Sequence, residues 1–117
     1  MTLNELVREL GLRALTPELA DAGAAEVDAG HVSDMLSDVL ANAPPGGLLV
    51  TIQIHLNVVA VSVHAGLCGV IFAAGRVPEE AVRLRAVEEK LPLFVADAPA
   101  FEVVGRLWKL GVKGRNA

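Results

Sequence analysis

Leu67-Cys68-Gly69-Val70-Ile71-Phe72-Ala73-Ala74, running straight into Gly75-Arg76-Val77-Pro78-Glu79-Glu80, decides how the chain is read. The first eight residues are apolar without alternation. A strand with one wet face alternates apolar and polar residues, so an unbroken apolar run predicts a strand covered on both faces, as strands of parallel sheets are. Gly75 then turns the chain. Pro78 and Glu79-Glu80 mark a helix start, because proline suits the first helical position and carboxylates suit the positive end of the helix dipole. That helix is expected to run to about Lys90.

The same unit recurs on either side. Downstream, Leu91–Ala96 reads as a strand with Pro92 at its entry. Asp97 is expected to cap a last helix from about Ala98 to Leu110, closed by Gly111. Phe101, Val104 and Trp108 are its predicted inner face, and Gly105 within it suggests close approach to another backbone, since a mid-helix glycine is otherwise unfavourable. Upstream, Leu48–Gln53 reads as a buried strand and Leu56–His64 as a buried helix, separated from what precedes by the turn Pro44-Pro45-Gly46-Gly47. Ser33 is expected to cap a helix through about Asn42, with Asp34 in its first turn and Met35, Leu36, Val39 and Leu40 as its buried stripe.

The N-terminal third is less regular. Leu3, Leu6, Val7 and Leu10 form one helical face. Thr2 with Glu5 fits a capping box, and Gly11 fits the stop. A short strand over Leu12–Leu15, a helical turn at Pro17–Ala20 and an extended segment over Val27–Val32 follow. Strands alternating with helices predict an α/β domain with an open, mostly parallel sheet and helices on both faces, formed by residues 1–117 as a single domain.

Composition narrows the function. With 53% hydrophobic and 21% charged residues the chain is too apolar for disorder. Net charge is −4, and Lys and Arg are scattered apart from Lys109, Lys113 and Arg115, so no nucleic-acid partner is expected. No run has the length and character of a membrane span and the first residues do not resemble a signal peptide, so a cytoplasmic protein with no membrane partner is expected. Cys68 is the only cysteine, within an apolar run, and reads as a buried, inert thiol.

No set of catalytic residues is recognisable. Phosphoryl transfer needs a phosphate cradle of the G-x-x-x-x-G-K-[ST] kind, and none of the glycine segments supplies one. His31, Asp34, Asp38 and His55 have spacings that could hold a metal, but a solvated acidic helix face explains the aspartates better, and neither metal nor cofactor is expected. Thr51, Gln53 and His55 alternate with Val50, Ile52 and Ile54, which puts three polar groups on one side of a strand. They are either satisfied internally or aimed at a ligand, and His55 or Asn57 could simply cap the next helix. Arg76 lies where a strand passes into a helix; it either holds a phosphate or pairs with Glu79 or Glu80.

Three segments carry a resemblance: Ser33-Asp34-Met35-Leu36-Ser37-Asp38-Val39, Thr51-Ile52-Gln53-Ile54-His55-Leu56-Asn57-Val58-Val59-Ala60-Val61, and Ala100-Phe101-Glu102-Val103-Val104-Gly105-Arg106-Leu107. Together they resemble the DRTGG domain family. The resemblance implies an accessory unit. Such domains are similar to the N-terminal domain of HPr kinase/phosphorylase, precede phosphotransacetylase domains, and occur beside CBS domains as regulatory inserts of pyrophosphatases that respond to adenine nucleotides. The stretch expected to hold the family's glycine pair reads Asp28-Ala29-Gly30-His31, which puts any ligand contact by that turn in doubt.

Two functions follow. One is a non-catalytic regulatory module sensing an adenine nucleotide or another phosphorylated metabolite, with Ser33, Thr51, Gln53, His55, Asn57, Gly75, Arg76 and Asp97 converging at the strand ends. It would act on a regulated enzyme partner. The other is an adaptor or oligomerisation subunit with no small ligand. A mean hydropathy of +0.49 in a chain this short favours a homo-oligomer, a dimer being expected.

Overall fold

The structure is a computed structural model, and it describes residues 1–115. Helix α1 spans Leu3–Leu10. Thr2 Oγ1 accepts the Glu5 amide at 3.2 Å while the Glu5 carboxylate accepts the Thr2 amide at 2.9 Å, which is the expected capping box. Strand β1 (Arg13–Ala14), a 3₁₀ segment (Pro17–Ala24) and strand β2 (Gly30–Val32) follow. The rest alternates regularly: α2 (Leu36–Asn42), β3 (Leu48–Thr51), α3 (Asn57–His64), β4 (Gly69–Phe72), α4 (Glu80–Glu88), β5 (Leu93–Val95) and α5 (Ala100–Lys109).

The five strands form one sheet in the order β1-β5-β4-β3-β2. Strands β2 to β5 are parallel neighbours in register, Val32 opposite Val50, Thr51 opposite Phe72 and Phe72 opposite Val95. Only β1 runs antiparallel, against β5. Each crossover from β2 to β5 steps one place in the same direction, and right-handed crossovers then put α2, α3 and α4 on one face. Packing agrees. Leu49, Val70, Phe72, Leu93 and Val95 point to Val39 of α2, Val58 and Val59 of α3, and Val82 and Ala86 of α4. Leu48, Val50, Ile71, Ala73 and Phe94 point the other way, to Leu3 and Leu6 of α1 and Val103 and Leu107 of α5. Both faces of β3 and β4 are buried, which is why their sequences do not alternate. Gly47 closes the Pro44 turn with its amide on the Pro44 carbonyl at 3.0 Å, and Gly46 takes φ 77, the left-handed value required after a proline in the second place of such a turn.

Six local expectations are corrected. Helix α2 begins at Leu36, not beside Ser33; the Ser33 hydroxyl accepts the Met35 amide in a turn, and Asp34 lies outside the helix. Of the stripe assigned to that helix, Val39 is fully buried, but Met35 and Leu40 are exposed. Helix α4 starts at Glu80, with Pro78 two residues before it. Asp97 does not cap α5: Pro99 is the residue before that helix, and Ala98, because it precedes a proline, is steered away from helical backbone. The inner face of α5 is Val103 and Leu107; of the three residues expected there, Val104 packs at its margin, half-buried, while Phe101 is 87% and Trp108 52% exposed. A Cβ on Gly105 would meet nothing within 4 Å, so no neighbouring backbone explains that glycine.

Candidate functional site

Because β2 to β5 are parallel and adjacent, their carboxyl ends share one edge of the sheet. This edge brings together Ser33 after β2, Thr51 to Asn57 after β3, Gly75 and Arg76 after β4, and Asp97 after β5. The connections to α2, α3 and α4 pass to one face of the sheet and the connection to α5 to the other. The direction of the crossovers thus switches between β4 and β5, the kind of place where α/β sheets bind ligands.

After β3, the polar residues bind their own backbone. Buried Thr51 donates its hydroxyl to Asp34 Oδ1 at 2.9 Å, and the same oxygen accepts the Ile52 amide at 2.8 Å. Thr51 Oγ1 in turn accepts the Gln53 amide at 3.0 Å, Gln53 Oε1 the His55 amide at 3.1 Å, and His55 Nδ1 the Asn57 amide at 3.1 Å. Each side chain closes on the amide two residues ahead. The strand ends at Thr51, so the expected stripe is a ladder of side-chain caps climbing into α3, with His55 capping that helix. Beside it, Gln53, Ile54, His55 and Leu56 of this loop and Glu79, Ala81 and Val82 of α4 and its start line an open hollow of about 460 Å³.

After β4 the turn is made by backbone alone. Ala74 and Gly75 take φ 58 and 67, and the Arg76 amide returns to the Ala73 carbonyl at 3.1 Å. The Ala74 and Gly75 amides donate to the Ala98 and Ala96 carbonyls at 2.8 and 2.9 Å, stitching this turn to the loop after β5. Left-handed backbone at Ala74 is strained, since its Cβ crowds the following carbonyl. The turn leaves Arg76 and Asp97 exposed, and a Cβ on Gly75 would lie 3.8 Å from Asp97 Oδ1. Glu80, one of the two carboxylates weighed as partners for Arg76, is bound to Arg83 at 2.6 Å, and among the described residues Arg76 makes no ion pair.

The histidines and aspartates do not converge on a metal. His31 Nε2 lies 2.9 Å from Asp38 Oδ2, Asp34 serves the end of β3, and no group of three His, Cys, Asp or Glu residues is placed to hold an ion among the described residues. Asn42, Ser33 and His31 together hold the Asp38 carboxyl down at about 2. Burial pushes the half-buried Cys68 thiol up to about 11, so it is a poor nucleophile. No helix among the described residues is long and apolar enough to cross a membrane. What the sequence missed lies elsewhere. Val32, Ala100, Phe101, Val104, Gly105 and Trp108 line a shallow apolar hollow on the outside of α5, and Lys113 Nζ sits 3.5 Å over the Trp108 ring. Gly105, unfavourable in a helix and unneeded by this fold, was the available signal.

No protein-family model and no curated protein matches the chain. Among solved structures it is similar to the CBS and DRTGG domains of the regulatory region of Clostridium perfringens pyrophosphatase, complexed with its activator diadenosine tetraphosphate. The TM-score is 0.73 at 11% identity, over 89% of this chain and 44% of that one. The fold is DRTGG-like. The chain thus spans less than half the length of the solved structure it matches. In this DRTGG-like fold, Gly30 of the altered turn lies under the C-terminal segment: its amide donates to the Lys113 carbonyl at 2.8 Å, and a Cβ there would meet Val112 at 3.3 Å.

Proposed function

We propose that the chain is a non-catalytic regulatory module whose carboxyl sheet edge senses an adenine nucleotide or another phosphorylated metabolite and passes the signal to an enzyme partner. One observation carries this reading: the fold matches, over 89% of the chain, part of an enzyme's regulatory region solved with a nucleotide activator. The geometry of the edge is compatible with it. Arg76 offers a fork of donors to a phosphate beside the start of α4, Asp97 can accept from a ribose hydroxyl, and the hollow beside His55 and Glu79 has room for a base. Thr51, Gln53 and His55 act in this reading mainly by fixing the loop, with Ser33, Asn57 and Gly75 at its rim.

A thermal-shift screen against nucleotides and phosphorylated metabolites tests it. A ligand at ~100 times its dissociation constant adds about 2.7 kcal/mol of stability. Affinity for the compound found is then expected to fall in Arg76→Ala and Asn57→Ala, while purified protein shows no ATP hydrolysis or protein phosphorylation. Unchanged affinity in both variants places the site elsewhere. Silence across the screen favours the second reading, an adaptor with no small ligand, for which the exposure of Phe101 and Trp108 speaks.

A further inference from the structure

The outer face of α5 is built to meet something. Residues 101, 104, 105 and 108 recur at i, i+3, i+4 and i+7 and so form one stripe down the helix. Phe101 and Trp108 are its two most exposed members of any bulk, at 87% and 52%, and Gly105 lies between them with open space where a side chain would be. A glycine inside a helix lowers its stability relative to alanine. No contact within the described chain requires one here, so the absence of a side chain serves an approach from outside. Val32, 51% exposed at the end of the edge strand β2, widens the same hollow, which measures about 470 Å³.

The charges beside the stripe say which partner fits. Glu102 stands in the first turn of α5, Arg106 and Lys109 in the last, and all three are exposed. Two such helices side by side and parallel would set acid against acid and base against base. Turned antiparallel about a two-fold axis near Gly105, they set each Glu102 against the partner's Arg106 and Lys109, each Phe101 against the partner's Trp108, and Gly105 against the partner's helix backbone. The helix dipoles oppose favourably as well. One patch is then complementary to itself, which is the condition for a closed symmetric dimer.

We propose that the chain forms a homodimer across this face, α5 packing antiparallel on α5 of a second copy with Gly105 at the crossing. The interface stands apart from the carboxyl edge of the sheet and forms whether or not that edge takes a ligand. Sedimentation equilibrium of the full chain without any nucleotide, from ~1 μM to ~1 mM, spans the affinities such an interface can have. The parent is expected to reach twice the 12.2 kDa chain mass, with a blue shift of its single tryptophan's emission as it associates. Gly105→Arg should raise the dimer Kd at least ~10-fold with no loss of Tm, because arginine suits a helix better than glycine and its site is open. Phe101→Ser should do the same without touching the core. Glu102→Lys and Lys109→Glu should each weaken association, and the doubly exchanged chain should recover it. A parent that stays monomeric throughout overturns the proposal, as does an assembly indifferent to Gly105→Arg and Phe101→Ser. Dissociation by Gly105→Arg without recovery in the exchanged pair rules out the antiparallel two-fold and with it the proposal.

Discussion

The loops after β3 and β4 lie side by side and solve the same problem by opposite means. Both must end a buried strand, cross the sheet edge and enter a helix on the same face. The first does it with side chains: Asp34, Thr51, Gln53 and His55 each take up an amide that the ending strand releases. The second does it with backbone, two left-handed residues whose amides go to carbonyls after β5. A loop tied by its own side chains has few polar groups left for a ligand. A loop tied by backbone leaves its side chains, here Arg76, free to serve one, at the cost of strain in Ala74. In the proposed function the first loop is the rigid support and the second the binding tip.

The contrast breaks most visibly at Asp34. Asp34→Ala removes a charged acceptor from the Thr51 hydroxyl and the Ile52 amide together, and should lower unfolding free energy by ~2 kcal/mol in urea titration; a change within error would mean the ladder is ornament. Ala74→Gly should act in the other direction. Relief of left-handed strain, partly offset by the greater freedom of glycine in the unfolded chain, should stabilise by ~0.5–1 kcal/mol in the same titration. A destabilised variant would show that the turn is not strained. His55→Ala removes only the last cap and should cost ~0.5 kcal/mol, with hydrogen exchange rising at the first turn of α3 and not at α4. The smallest effect concerns Asp38, which sits beside the ladder without joining it. Its carboxyl is held at about 2 against 3.8, so its contribution is complete above pH 3.8 and is lost as pH falls through that window to about 2. Parent and Asp38→Asn should therefore differ in stability near neutral pH and converge near pH 2; a constant difference would place the effect in packing.

Much of the scaffold was legible because its determinants are local. The α1 cap needs only Thr2 and Glu5 three residues apart, and the buried strands announce themselves by apolar runs that nothing but double coverage explains. Asp34 was misplaced because its partners are 17 and 18 residues away, and no helix-start rule encodes them. The alternation of Thr51, Gln53 and His55 has the period of a strand face, yet the same two-residue spacing serves side chains closing on the next amide but one. Helix α5 was turned the wrong way because it is apolar on two sides: Val103 and Leu107 fit the sheet, Phe101 and Trp108 outweigh them in size, and periodicity cannot say which stripe is covered. The position of Arg76 at the strand edge was legible. A partner for it is not written in a loop whose backbone is satisfied by its neighbours.

The strand order has a consequence for how the molecule assembles. From β2 to β5 each new strand lands beside the one made just before it, so that part of the sheet grows from contacts of short loop length, which close quickly. The first segment cannot take part. β1 pairs only with β5, Arg13 against Val95, and Thr16 Oγ1 receives the Leu93 amide at 3.0 Å. Arg83 of α4 reaches back to the Leu15 carbonyl and to Glu18. During synthesis β1 is therefore made before the strands it joins and docks after them, waiting for a strand roughly 80 residues behind it.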